Sequence, residues 1–143
     1  MDTHFVEETG GEVAHLGVAD MRLLLSGDRT KGALAVGEFT GAPGPWTVLH
    51  LHREVDEFFY VVDGVFQFTC GDREIVAKPG SLLMVPRGTA HVFAAETEGK
   101  VLLLWTPGGL EQMFLDLGRL AGADLTDKAQ RAEVARRYDS IPV

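Results

Sequence analysis

Only one cysteine, Cys70, occurs in the 143 residues. No intrachain disulfide is possible, and a reducing cytosol is the natural home for such a chain. Basic charge is scarce as well: 13 Lys and Arg stand against 21 Asp and Glu, for a net charge of −8 and a pI near 5.0. That balance lacks the electrostatic footprint of a nucleic-acid binder. No apolar run approaches the ~20 residues that span a bilayer. The amino terminus, with Asp2, His4, Glu7 and Glu8, has no charged start followed by an apolar stretch, so no secretory leader is expected. Repeats, low-complexity segments and domain linkers are missing too. The expectation is a soluble, cytoplasmic protein with no membrane or nucleic-acid partner.

What is present suits a compact β protein. Hydrophobic residues make up 45% and mean hydropathy is +0.06, enough for a sizeable core in one domain. Seventeen glycines and six prolines fit short strands and tight turns. Strands are expected over Val13 to Val18, Met21 to Leu25 and Ala33 to Thr40, the last with Gly37 as a candidate bulge. Others are expected over Phe58 to Val62, Val65 to Cys70, Arg73 to Ala77, Ser81 to Val85, His91 to Ala95 and Val101 to Trp105. Asp63-Gly64 predicts a two-residue hairpin, and Gly71-Asp72 a further turn. About ten such strands make an all-β, antiparallel architecture, closed or sandwiched. Residues 1–11 read as a loose polar arm. After Pro107-Gly108-Gly109 the period changes. Leu110, Met113, Phe114, Leu117 and Leu120 recur at helical spacing, and a second helix is expected from Thr126, with Asp127 near its positive end.

The chain is organised around residues 44–91. Trp46, Val48, His50 and His52 alternate with Thr47, Leu49 and Leu51, and on a strand i and i+2 share a face. On a helix the two histidines would diverge by about 200°. Glu57 follows His52 at an odd offset, so Arg53-Glu54-Val55-Asp56 must contain a bend or bulge that restores its direction. His91 arrives after the Pro86-Arg87-Gly88 turn. Three imidazoles and a carboxylate are types that bind transition metals. Taken singly, each histidine is more simply a satisfied polar residue at a rim. Trp46, Phe59 and Phe93 share strand parity with His50, Glu57 and His91. They either line a substrate pocket or fill the interior. His4 and His15 read as surface histidines, Cys70 as a small core or pocket-wall residue, and Glu54 and Asp56 as solvated loop charges.

Gly44, His50, His52, Glu57 and Gly64, followed by Gly80, Pro86, Gly88 and His91, resemble the two sequence motifs of the cupin superfamily. One position departs from the pattern: Ala95 stands where the second motif commonly ends in Asn, a residue that is not a ligand in that family. The resemblance implies a single cupin domain over residues 1–143. It would be a double-stranded β-helix, or jelly-roll barrel, over about 13–106, with one or two C-terminal helices over about 109–138. It further implies that His50, His52, Glu57 and His91 hold one metal ion, and that the protein forms a homodimer.

Four ligands on an ion that prefers six leave two adjacent positions open, which suits Fe, Mn, Ni or Co better than a closed zinc tetrahedron. The chain is similar to the small single-domain cupins grouped with quercetin dioxygenases. The function so implied is a metal-dependent dioxygenase acting on a small aromatic or polyketide-like molecule, with Glu57 as the catalytic base. A metal-assisted isomerase or cyclase and a non-catalytic small-molecule-binding barrel are the alternatives.

Overall fold

A computed structural model of the chain describes residues 2–120 and 126–143. Its strands are β1 (Val13–His15), β2 (Ala19–Leu25), β3 (Ala35–Gly41), β4 (Gly44–Pro45), β5 (His50–Leu51), β6 (Asp56–Asp63), β7 (Phe66–Cys70), β8 (Arg73–Ala77), β9 (Leu82–Val85), β10 (His91–Ala95), β11 (Gly99–Thr106) and β12 (Ile141–Pro142). Helices α1 (Glu111–Gly118) and α2 (Lys128–Ala135) lie between β11 and β12. Part of the expected helical extension, residues 121–125, falls outside the described residues.

The strands form two antiparallel sheets. One runs β1-β2-β3-β11-β6-β9; the other runs β12-β5-β10-β7-β8, with β4 also on β10. This is a jelly-roll, but the expected barrel is not closed. Inward side chains alternate along each strand, as in Phe59 and Val61 of β6 and Val101, Leu103 and Trp105 of β11, all buried. Across the gap Phe59 meets Phe68 and Phe93 edge-on, at ring-centroid distances of 5.0 and 5.2 Å. That is the arrangement ring quadrupoles favour.

Three local expectations fail for tertiary reasons. Asp63-Gly64 does not close a hairpin, because β6 pairs with β9 and β11 while β7 pairs with β8 and β10. Gly64, at φ +79°, instead carries the chain from one sheet to the other, and a Cβ there would lie 2.4 Å from the Glu98 carbonyl. The bulge near Gly37 belongs to the facing strand, where the β2–β3 register shifts between Leu23 and Leu25. Gly37 is small for another reason: a Cβ would come 3.0 Å from the Trp105 ring. The amino-terminal arm is not loose, since Arg22 donates to the carbonyls of Glu7 and Gly10, and His4 Nε2 lies 2.8 Å from the Leu24 carbonyl oxygen.

Leu110, Met113 and Leu117 are buried as the stripe requires, and Leu115 joins them. The first turn of α1 is tied to the sheet by Glu111, itself buried, whose carboxylate accepts from the Gly27 and Gly109 amides at 2.6 and 2.5 Å. Asp127 caps α2 by accepting from the Ala129 and Gln130 amides.

Candidate metal centre

His50 lies on β5 and His91 directly opposite on β10. His52 follows β5 by one residue, and Glu57 opens the inner face of β6. The chain bends at Arg53-Glu54, which restores the inward direction that the odd spacing demanded. One ligand atom from each of the four residues lies within 4.8 Å of the others. The imidazole centroids are 4.3 to 5.2 Å apart.

Each histidine is oriented through Nδ1. The Val48 carbonyl holds His50 at 2.6 Å, the Asp139 carbonyl holds His52 at 2.5 Å and the Thr89 carbonyl holds His91 at 2.9 Å. With Nδ1 donating to a carbonyl, Nε2 presents its lone pair toward the cluster, the tautomer that metal ligation needs. His52 Nε2 is buried without a hydrogen-bond partner, and its nearest carboxylate oxygen, Glu57 Oε1, is 3.6 Å away. An orphaned buried acceptor is costly and rare, and a cation among these four groups would satisfy it. The residues fit a metal ion.

Glu57 is buried and fixed from both sides: the Trp105 indole donates to Oε2 at 2.6 Å, and His91 Nε2 lies 3.0 Å from Oε1. Burial favours its neutral acid, but its contacts with the His52 and His91 imidazoles outweigh that and hold the carboxyl well below the usual carboxylate range. Burial, followed by repulsion from His91, lowers His50 to about 4. His52 goes the other way. Burial pushes it down, yet its contacts with Glu57 and then with Asp139 leave its pKa raised.

Sequence reasoning missed Asp139. Its carboxylate accepts from the Arg53 and Glu54 amides at 2.8 and 2.7 Å, pinning the bend between His52 and Glu57. Next to it, β12 pairs with β5, Ile141 against Leu51 and Pro142 against His50. Nothing in the local pattern of Tyr138 to Val143 marks a strand, because its partner lies some ninety residues earlier. Asp56, expected to be a solvated charge, instead pairs with Arg87 at 3.0 Å and accepts from the Arg87 amide at 2.9 Å, tying β6 to the turn before His91.

A cavity of about 470 Å³ opens beside the cluster, with His50 and Glu57 in its wall. Trp46 and Phe93 line it with Phe39, Leu103 and Phe114. Phe59, expected there by parity, does not: it is fully buried behind Phe93 and Phe68. Cys70 faces His91 across β7 and β10 but is not on the cavity wall, and burial raises its pKa, so it is an unactivated thiol. His15, paired with Asp20, and His4 lie at the surface.

Comparison of the sequence with curated proteins finds no match. Residues 37–107 match the model of the Cupin_2 family, described as a cupin domain. Among solved structures, KdgF from Halomonas sp. aligns with TM-score 0.68 at 18% identity, over 78% of this chain and 99% of its own. An RmlC-like cupin from Shewanella frigidimarina aligns with TM-score 0.66 at 19% identity, over 78% and 96%. Streptomyces Pac13 with uridine aligns with TM-score 0.65 at 17% identity, over 78% and 88%. At such identities the likeness is one of fold. Two facing antiparallel sheets, those neighbours and the family match agree on the fold: the chain has a jelly-roll fold similar to that of cupins, with residues 37–107 matching the cupin-domain model.

Proposed function

We propose that the protein is a metal-dependent enzyme acting on a small, largely apolar molecule, with His50, His52, Glu57 and His91 holding one divalent transition metal. The observation that carries this reading is the unpartnered, buried Nε2 of His52 facing an ionised, buried carboxylate. Fe, Mn, Ni or Co fits the donor set better than Zn, since four protein ligands leave positions for substrate on an ion that prefers six. When bound, such an ion supplies Lewis acidity toward substrate oxygen atoms and, if redox-active, electrons for reaction with dioxygen.

The chain's own contribution is positioning and dryness. Trp46, Phe93, Phe39 and Phe114 give the cavity an aromatic wall, which supports a dioxygenase reading with an aromatic or polyketide-like substrate. Glu57 would act as general base through Oε1, because the Trp105 indole occupies Oε2. That clamp also favours a second reading, a redox-neutral isomerase, cyclase or lyase in which a fixed carboxylate moves a proton; Pac13, similar in fold, is described as a nucleoside dehydratase. Substrate turnover under argon separates the two. Conversion that stops without dioxygen supports the oxygenase, and unchanged conversion refutes it.

A homodimer is part of the proposal. Beyond its buried face, the first sheet carries apolar cross-strand pairs on its outer side, Met84 opposite Phe58 and Leu82 opposite Tyr60. Leu82, Met84, Tyr60 and Val62 are exposed there, and a second copy packed against them would remove that apolar surface from water. A cytoplasmic location fits the single reduced cysteine.

A further inference from the structure

One wall of the cavity is basic, in a chain whose net charge is −8. Among the described residues, and apart from Glu57, which is already engaged by Trp105 and His91, the charged residues lining it are Lys128 and Arg131 of α2. The helix is anchored by Val134, buried, and by Ala135, which packs on the core. Lys128 and Arg131 precede Ala135 by seven and four residues, so they share its stripe. Arg131, half-buried one turn before Ala135, stands where a helix that served only to cover the sandwich would carry an apolar side chain. The helix brings an ammonium and a guanidinium to the cavity that His50 and Glu57 also line.

Arg131 is half-buried and engaged within the chain, while Lys128 is exposed. Burial pulls the guanidinium below its ordinary pKa, so an anion beside it would be stabilising. The rest of the lining is mainly apolar, with the hydroxyls of Thr47 and Thr126 as additional polar groups.

Resting on the reading of this site as a metal-dependent enzyme's, we propose that its substrate is an amphipathic anion. Its apolar body lies against Trp46 and Phe93 and its carboxylate or phosphate end is received by Lys128 and Arg131. Two cations in the cavity wall would orient the body so that a fixed part of it lies over Glu57 and the metal. A neutral molecule of the same shape would enter in several poses.

The test measures binding by fluorescence titration of three probes that share one frame: 2-naphthoate, 2-naphthyl phosphate and neutral 2-naphthamide. It is run on metal-free protein, because a bound ion would itself attract the anions. One or both acids should bind about tenfold tighter than the amide at low salt, and whichever acid binds tighter identifies the head group. Lys128→Glu, at an exposed position, should abolish that preference, as should Lys128→Ala/Arg131→Ala if its melting temperature shows it folded. The proposal is overturned if the amide binds as tightly as both acids, if no probe binds, or if the preference survives in the folded variants. Metal content is measured on the same proteins. An intact acid preference in a protein that takes up no metal would refute the metal reading alone.

Discussion

Replacing Asp139 by Ala tests whether the C-terminal segment builds the candidate metal centre or merely covers it. The substitution removes the acceptors for the Arg53 and Glu54 amides. Those residues are exposed, so water replaces the carboxylate, and the cost is that of losing a cap, about 1–2 kcal/mol. For a chain of this length that lowers the melting temperature by about 3–6 °C. The Asp139 carbonyl, which orients His52, survives in this variant, so metal affinity should fall less than about tenfold. A chain ending at Tyr138 loses the carbonyl, the carboxylate and β12 together. Removing a partner that orients a ligand costs about 10–100-fold in metal affinity, and the truncated chain should show that loss. Isothermal titration with Co or Ni, beside thermal melts, measures both quantities. Equal metal affinity in the full and truncated chains would refute the reasoning, because His52 would then need no tail to orient it.

Other outcomes follow from the same contacts. Trp105→Phe leaves Glu57 Oε2 without its buried donor, for a loss of about 1–3 kcal/mol, and should weaken metal retention; a metal-binding isotherm identical to wild type would contradict this. Glu111→Gln, against two amide donors, places an amide group where an acceptor is required and should cost about 2–3 kcal/mol by denaturant titration with the metal site intact. For pH, His50 is lowered to about 4 while His52 is raised. His50 therefore makes the metal-free fold gain stability as pH rises from about 4 to its unfolded value near ~6.5. His52 stabilises fully below that value and loses its contribution as pH climbs through its raised one. Calorimetry of the metal-free protein should find a maximum near pH ~6.5; a melting temperature that rises steadily to pH 8 would contradict the assignment. Leu82→Asp/Met84→Asp should yield monomers by light scattering, whereas an unchanged dimer would place the interface elsewhere.

The candidate site was legible because its information is local and typed. His50 and His52 at i and i+2, Glu57 beyond a charged bend and His91 after a proline-glycine turn specify residue kinds at short spacings, and the structure brings all four together. The strands were legible by alternation, and α1 by its stripe. What escaped depends on partners distant in sequence. Asp63-Gly64 has the chemistry of a hairpin, but sheet pairing assigns its two strands to different sheets. Phe59 has the parity of a pocket residue, yet Phe93 and Phe68 cover it. Asp139 sits in an undistinguished tail and acts only because β12 reaches β5. Sequence parity gives the facing of a side chain, but what lies in front of it depends on the other sheet.

The most direct test of the central claim is the metal content of the purified, untagged protein beside His50→Ala/His52→Ala. The account predicts near-stoichiometric iron, manganese, nickel or cobalt in the wild type and its loss in the double variant, with both proteins folded by thermal melt. No metal in the wild type even after reconstitution, or equal content in both proteins, would contradict it.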